Sequence, residues 1–345
     1  MSNSSSYLSS PKVICLGEAL LDRLGPLGGD PLFEKPVEDC LGGAPANVAC
    51  GLAKLGTDVA FVGRLGNDTI GNNFQDLMKD RRVNLEGLQV DHSRPSRVVL
   101  VRRDLDGERF FQGFQGDKGN GFSDQVLDLS GLKESFPKLM KKASWLLLGT
   151  IPLASAACEE ALLWTINKAF ESNIQLAIDI NWRPTFWNAN SDPNRGPNEF
   201  EMTKIFDLVE QASLLKFSKE EAIWFFNNQD PSLISSSLPK CPSVIVTDGS
   251  RPVRWLIDGY AGETEAFSPR LVVDTTGAGD AFTAGLLHQL LLGLSMPVDE
   301  KVASEMVRFG AACGALVCGG PGAIDPQPTF EEVNCFLYES AGGIN

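Results

Sequence analysis

The segment best equipped for chemistry lies late in the chain, where a predicted strand gives way to a predicted helix. Residues 274–280 read DTTGAGD and follow an apolar run at 271–273. Residues 277–279 carry no bulky side chains, so their amides can approach an anion, and a helix N-terminus adds partial positive charge. Asp280 would accept a proton from a hydroxyl nucleophile while those amides stabilise charge on a phosphoryl group. Alone, Asp280 would fit a helix N-cap equally well.

A second glycine cluster, residues 42–47 with the sequence GGAPAN, opens the first long predicted helix. Small residues such as Gly43 again permit close backbone approach, and Asn47 offers both a donor and an acceptor to a polyol. Asp22 comes soon after the first predicted strand. Because ligands of a doubly wound sheet bind beyond the carboxyl ends of its strands, Asp22 would project into the same crevice. By itself, Asp22 reads as a solvated loop charge.

Composition excludes several classes of protein. The 345 residues include 44 acidic and 30 basic side chains, a net charge of −14, which argues against binding of nucleic acid or an anionic membrane. The two histidines, His92 and His288, cannot build a multi-histidine metal site and leave acid–base work to carboxylates. Neither the P-loop pattern GxxxxGK(S/T) nor the HRD and DFG kinase motifs occur.

The cysteines and the N-terminus bear on the compartment. No two of the eight cysteines are spaced CxxC, and several lie in apolar segments, which is typical of reduced thiols. Residues 1–10 are serine-rich without the apolar core of a signal peptide. The sequence therefore predicts a cytoplasmic protein, with an organellar stroma, reached through a removed transit peptide, as the alternative.

Short apolar runs alternate with helical patterns along most of the chain. This alternation predicts an α/β fold with a doubly wound, mostly parallel sheet and helices on both faces. The predicted strands are 12–16, 59–62, 145–148, 176–180, 214–217 and 244–247, together with the run at 271–273. The predicted helices are 46–55, 72–79, 159–170, 201–211, 220–227, 280–293 and 301–317.

Two stretches break this rhythm. Residues 32–40 and 96–114 alternate apolar and polar side chains, and the second contains a turn at 104–107 between strands at 98–103 and 108–114. They predict a small antiparallel sheet that lies over the strand-end crevice as a lid. The alternative is that they are ordinary edge strands of the large sheet.

Together these segments resemble the ribokinase-like (PfkB) family of sugar kinases. Residues 42–49, with Gly56 and Gly66 at the family's distances, match its N-terminal signature, and residues 274–287 match its C-terminal signature. The resemblance covers roughly residues 11–338. It implies a large α/β kinase domain of residues 11–31, 41–94 and 118–338, a β-sheet lid of 32–40 and 95–117, and a flexible N-terminus of 1–10.

Within the family, residues 17–22 and 179–184 are most similar to fructokinases. The resemblance implies transfer of the ATP γ-phosphoryl group to a sugar hydroxymethyl, O6 of D-fructose, with Mg²⁺ accompanying the ATP. It implies the following roles by motif position: Asp280 as the base, the amides of Gly277, Ala278 and Gly279 as the anion hole, and Asp22, Gly43 and Asn47 as the sugar ligands.

The resemblance also implies residues on the nucleotide side of the site. It places Ser218, Thr247, Gly249 and Gly322 at the nucleotide, Arg183 near the phosphates, Glu221 at Mg²⁺ through water, and Asp274 and Thr276 at a monovalent cation such as K⁺. Arg183 has a plainer reading as an exposed arginine after a strand.

The sequence departs from the family pattern at three places, of which the third, in the predicted lid, leaves the identity of the sugar open. Ser218 stands where many members have Asn, Pro252 stands where Gly is usual, and residues 110–116 lack the aromatic–Arg pair of many fructokinases. The alternatives are a related kinase of ribose, 2-keto-3-deoxygluconate or a nucleoside, and a catalytically silent regulatory binding protein. The predicted partners are a small sugar and ATP, without nucleic acid or membrane, and a second copy joined through the lid.

Overall fold

The structure is a computed structural model, and it describes residues 10–105, 109–116, 121–269, 271–293 and 299–342. The predicted flexible N-terminus, apart from Ser10, lies outside the described residues, as does half of the predicted turn at 104–107. No helix in these ranges is long and apolar enough to cross a membrane.

The strands are numbered in chain order. They are β1 (Val13–Leu16), β2 (Leu20–Leu27), β3 (Glu38–Gly42), β4 (Val59–Gly66), β5 (Asn84–Asp91), β6 (Val98–Arg103), β7 (Arg109–Phe114), β8 (Trp145–Leu148), β9 (Gln175–Asp179), β10 (Leu214–Ser218), β11 (Ser243–Asp248), β12 (Arg251–Ile257) and β13 (Tyr260–Thr264).

The helices are numbered in the same way. They are α1 (Ala44–Lys54), α2 (Thr69–Asp80), α3 (Leu129–Leu139), α4 (Ala156–Glu171), α5 (Pro184–Trp187), α6 (Glu199–Val209), α7 (Lys219–Phe226), α8 (Pro231–Ser236), α9 (Ala278–Gly293), α10 (Glu300–Val317) and α11 (Phe330–Ser340).

The strands of the described residues form two sheets. The large sheet has nine strands in the order β13-β12-β11-β10-β9-β8-β1-β4-β5, parallel except for the terminal β11–β12–β13 meander. The small sheet has the order β3-β2-β6-β7, with β2 and β6 parallel and its two other pairs antiparallel. The predicted doubly wound, mostly parallel sheet with an added small sheet is confirmed, but the small sheet is mixed and not antiparallel throughout as predicted, because β2 pairs with β6 in the parallel direction.

Burial of the large sheet on both faces explains its continuous apolar runs. In β1, Val13 and Cys15 belong to the core shared with α1, α2, α9 and α10, whereas Ile14 and Leu16 belong to the core shared with α3, α4 and α6–α8. Successive strand residues point to opposite faces, so a strand covered by helices on both sides has no solvent face to make polar.

Several local expectations differ from the structure. β2 was expected in the large α/β domain but pairs with β3 and β6 in the small sheet. The apolar run at Leu271–Val273 is not a strand, and its side chains are 50–66% exposed. α9 begins at Ala278, two residues earlier than predicted. The β12–β13 hairpin was not predicted from the sequence, although β12 alternates buried and less buried side chains as a half-covered strand does.

Candidate active site

A cavity of about 640 Å³ lies between the large sheet, the small sheet and the first turns of α1 and α9. It is at the carboxyl ends of the parallel strands, where an open α/β sheet binds its ligands. Asp22 from β2, Gly43 and Asn47 from the start of α1, and residues 275–280 all line it. The two glycine clusters, about 230 residues apart in the sequence, therefore share one cavity.

A larger hollow of about 760 Å³ lies at the opposite edge of the sheet. Its lining includes Gln175, Ser213 and Ser243, and its only carboxylate among the described residues is Asp258. Asp258 and Lys240 are its only charged side chains among the described residues, and neither glycine-rich turn lines it. The smaller of the two cavities is therefore the candidate active site.

The turn before α9 has the shape that an anion cradle needs. Gly277 has a φ of +78°, and a Cβ there would lie 2.5 Å from the Cβ of Ala323, so only glycine fits. Asp274 fixes the preceding backbone, because its Oδ1 accepts from the backbone N–H (2.9 Å) and hydroxyl (2.7 Å) of Thr276 and its Oδ2 accepts from Gly322 N (2.8 Å). Gly277, Ala278 and Gly279 all line the cavity, and the N–H group of Ala278 also donates to Thr275 O at 3.3 Å within the turn.

Asp280, in the first turn of α9, is held by α1. The Nδ2 group of Asn47 donates to Asp280 Oδ2 at 2.7 Å. Burial in the cavity wall and the nearby charge of Asp179 raise the pKa of Asp280 to about 6, against the opposing effects of Asn47, Lys216 and Arg183. The carboxyl group is thus ionised at neutral pH and more basic than an ordinary aspartate, which suits a general base.

A buried ion pair lies beneath this turn. Lys216 Nζ of β10 contacts Asp179 Oδ2 of β9 at 2.6 Å, and the hydroxyl of Thr283 lies 3.1 Å from the same oxygen. Burial alone would lower the pKa of Lys216, but Asp179, with Asp280 and Glu221, raises it. Nζ comes within 3.3 Å of where a Cβ on Gly279 would be, so a fixed positive charge adjoins the amide cradle.

Sequence reasoning did not assign roles to Lys216 or Asp179, although both line the cavity. The available signal was a lysine inside the otherwise apolar strand Leu214–Ser218. A lysine is almost never fully buried without a partner, so its presence in a core strand implies an opposite charge nearby. Glu18 also lines the cavity without having been singled out.

Glu221 and Ser218 meet at the start of α7. Glu221 Oε2 accepts from Ser218 N at 2.7 Å, Oε1 accepts from Trp182 N at 2.6 Å, and Ser218 Oγ accepts from Glu221 N at 3.2 Å. Burial, followed by the charge of Asp179, raises the pKa of Glu221. Each carboxylate oxygen already has one donor, which leaves a lone pair on each for a water molecule.

The remaining predicted residues divide into two groups. Arg183 and Thr247 line the cavity; Arg183 is exposed, and Thr247 Oγ1 donates to Phe217 O at 3.2 Å. Gly249, Gly322 and Asp274 do not line the cavity. Gly249 lies in the exposed turn between β11 and β12, and the N–H group of Gly322 donates to Asp274. Across the described ranges, no cluster of three or more His, Cys, Asp or Glu could hold a metal ion.

Comparison with known proteins shows the family to which the chain belongs. Residues 10–330 match the model of the pfkB family carbohydrate kinases. The chain is 33% identical over 345 residues to "Probable fructokinase-6, chloroplastic" of Arabidopsis thaliana, which covers 99% of this chain and 86% of that protein.

Two solved structures are similar over nearly their whole length. The fructokinase of Xylella fastidiosa with bound ATP superimposes with a TM-score of 0.80 at 26% identity, covering 96% of this chain and 99% of that one. The fructokinase of Vibrio cholerae O395, bound to fructose, ADP and calcium, gives 0.78 at 27% identity, covering 95% and 99%. The chain belongs to the pfkB family of carbohydrate kinases and is fructokinase-like.

Proposed function

We propose that this chain transfers the γ-phosphoryl group of ATP to the 6-hydroxyl of D-fructose. One observation carries the proposal: the hydroxyl-binding candidates Asp22, Gly43 and Asn47 share a cavity with Asp280, and Asn47 is bonded directly to it. A sugar held by these three residues would have its reacting hydroxyl close to the base.

Each part of the site has a distinct task in this proposal. Asp280 takes the proton from the sugar hydroxyl as the oxygen attacks phosphorus. The amides of Gly277, Ala278 and Gly279 stabilise the charge on the phosphoryl oxygens, and Lys216 adds positive charge beneath them. Because Lys216 is held by Asp179, it needs no reorganisation when that charge develops.

The nucleotide would extend from the cradle toward Ser218, Thr247 and Gly249, with Arg183 near its phosphates and Gly322 behind the turn. Mg²⁺ neutralises phosphate charge when bound. The described residues offer no cage of carboxylates, so the metal would be carried by phosphate oxygens, with Glu221 contacting its water shell.

We also propose a K⁺ site at Asp274 and Thr276. Both carboxylate oxygens of Asp274 accept hydrogen bonds that shape the turn, so a cation bound there would share these oxygens with the turn. The test compares turnover in K⁺, Na⁺ and a bulky organic cation. Equal rates in all three would remove the cation from the proposal.

The choice of fructose rests on the relatives. The Vibrio cholerae neighbour binds fructose and ADP, and the curated relative is named a fructokinase. Leu20, Val99 and Phe111 give the small-sheet side of the cavity an apolar wall, which suits the carbon face of a sugar. Because Asp280 and its glycines are intact, a silent binding protein is the poorer explanation.

The deciding experiment measures ADP release with D-fructose, D-glucose, D-ribose, 2-keto-3-deoxygluconate and adenosine as acceptors. We expect the highest kcat/KM with D-fructose, and ³¹P NMR of the product should show a 6-phosphate. Asp280→Asn serves as the negative control for contaminating kinases. A higher kcat/KM with any other acceptor would replace the substrate, and no turnover with any acceptor would favour a binding protein.

Assembly and location complete the proposal. Among the described strands, β3 and β7 are the edges of the small sheet, and Phe33 on the adjoining loop is 83% exposed. Pairing of two small sheets in a homodimer would cover such edges, and a monomer in sedimentation velocity would contradict this assembly.

All eight cysteines are free and five of them are buried, which supports a location in the cytoplasm or a stroma. The Arabidopsis relative is named chloroplastic.

A further inference from the structure

Glu18 occupies the crossing from the large sheet to the small one, between β1 and β2. Its side chain is buried, with 3% of the residue exposed, and it lies in the wall of the candidate active site. Its Oε1 accepts from the backbone N–H of Ala44 at 3.1 Å. Ala44 is the first residue of α1, and the residue before it, Gly43, has no side chain to cap the helix. Glu18 therefore caps α1 from a different element.

This helix cap is close to Asp280, the proposed base. A Cβ on Gly43 would lie 2.6 Å from the carbonyl oxygen of Glu18, so the backbones of the two residues are in close contact. One turn further along α1, Asn47 donates to Asp280. The position of the sugar-binding turn relative to the base is thus set in part by Glu18.

The surroundings of Glu18 disfavour a charged carboxylate. Its Oε2 is buried and has no hydrogen-bond partner within the described ranges. The charged groups facing it are Asp124, which is paired with Arg97 at 2.8 Å, and Asp280 across the cavity. Burial, with the charges of these two carboxylates, raises the pKa of Glu18 to about 8, against the opposing effects of hydrogen bonds from its own backbone and from Ala44. Asp22, Arg183 and Lys216 line the same cavity.

We propose that Glu18 is a positioning residue that stays uncharged during turnover, and that its ionisation in alkaline solution releases the first turn of α1. The neutral acid accepts the Ala44 N–H group without placing a second negative charge beside Asp280. Ionisation would bury a charge with an unsatisfied oxygen, which is costly, so the side chain would move toward water and leave Ala44 unbonded. This inference rests on the proposed kinase function for Asp280.

The first test compares pH profiles of kcat/KM for the wild type, Glu18→Gln, Glu18→Ala and the exposed control Glu160→Gln. The wild type and the control should lose activity above about pH 8. Glu18→Gln keeps an oxygen for Ala44 but cannot ionise, so it should stay within about threefold of the wild type at pH 7 and lose the alkaline limb. Glu18→Ala should raise the sugar KM about fivefold, the effect of a lost helix cap.

The second test does not need turnover. In protein labelled with ¹³C at glutamate carboxyl groups, the Glu18 signal is assigned by its absence from either variant. It should titrate near pH 8. Titration below pH 6, an unchanged alkaline limb in Glu18→Gln, or a loss above tenfold at pH 7 in that variant would each overturn the inference. If no acceptor is phosphorylated, the proposed function fails, and the NMR titration still decides the state of Glu18.

Discussion

Two helices begin at glycine-rich turns on the same cavity, and their N-termini are used differently. At α1, the N–H group of Ala44 is taken by the carboxyl group of Glu18. At α9, Thr276 N donates to the side chain of Asp274, and Gly277 and Gly279, which follow, line the cavity. Both turns need glycine for the same reason, since Gly43 and Gly277 have φ angles of +105° and +78° and no space for a Cβ.

Glycine-rich turns at helix N-termini therefore serve two purposes in this site. A helix N-terminus whose N–H group is bonded by the protein is a fixed element, and α1 accordingly presents Asn47 at a set distance from Asp280. A helix N-terminus that faces a cavity keeps its partial charge for a ligand. The α1 turn should therefore govern sugar affinity, and the α9 turn should govern the rate of transfer.

The sharpest test of the α9 turn is Asp280→Asn. We expect turnover to fall at least ~10²-fold, the usual contribution of a general base, while sugar binding is largely kept. The amide still offers an oxygen to Asn47, so the fold should persist. Steady-state kinetics and calorimetric sugar titration measure the two quantities. Turnover close to wild type would remove Asp280 from the role of base.

Removing the ion pair under the α9 turn should cost stability. Lys216→Met leaves Asp179 buried without its partner, a change that typically costs about 3–5 kcal/mol of unfolding free energy. Urea denaturation measures the loss. The double variant with Asp179→Asn should recover part of that stability but not the turnover. Equal stability of Lys216→Met and the wild type would show that the pair is not structural.

Glycine replacements in the two turns should separate rate from affinity. Gly277→Ala displaces the cradle and should lower kcat roughly tenfold or more, because misplaced groups lose catalysis steeply. Gly43→Ala should instead raise the sugar KM by about tenfold with a smaller change in kcat. Gly56→Ala is the matched control, since its φ is +90° but nothing lies within 4 Å of the added Cβ. If both site variants changed the same parameter, the division between the turns would be wrong.

The smallest expected effect is a shift of the acid limb of the pH profile. The pKa of Asp280 is raised to about 6, so kcat/KM should fall about tenfold per pH unit below it as the base is protonated. Asn47→Ala removes a bond that lowers this pKa, so the limb should move to higher pH. A limb unchanged by Asn47→Ala would mean that another group causes it.

The free energy of unfolding should change in the opposite direction to activity between about pH 4 and 6. The folded pKa of Asp280 lies above its ordinary value of 3.8, so the folded state binds more protons between about pH 4 and 6. Protonation of Asp280 therefore contributes stability as the pH falls through this window, while activity declines. In Asp280→Asn, that contribution to the pH dependence of the melting temperature should disappear.

The amino-acid sequence by itself determined the local features of this protein. Continuous apolar runs such as Val13–Leu16 specify strands buried on both faces, because side-chain direction alternates along a strand. The small residues at 277–279, next to Asp280, specify a turn with accessible amides, because backbone freedom depends on the residue itself.

Features that depend on residues far apart in the sequence follow only from the tertiary structure. β2 joined the small sheet because β3 and β6 offered it hydrogen bonds, and the exposed run Leu271–Val273 stayed outside any strand, although their local patterns read otherwise. Lys216 became a site residue because β9 places Asp179 beside it. The basicity of Asp280 likewise arises from burial and neighbouring charges, which come into being only when strands and helices far apart in the sequence pack together.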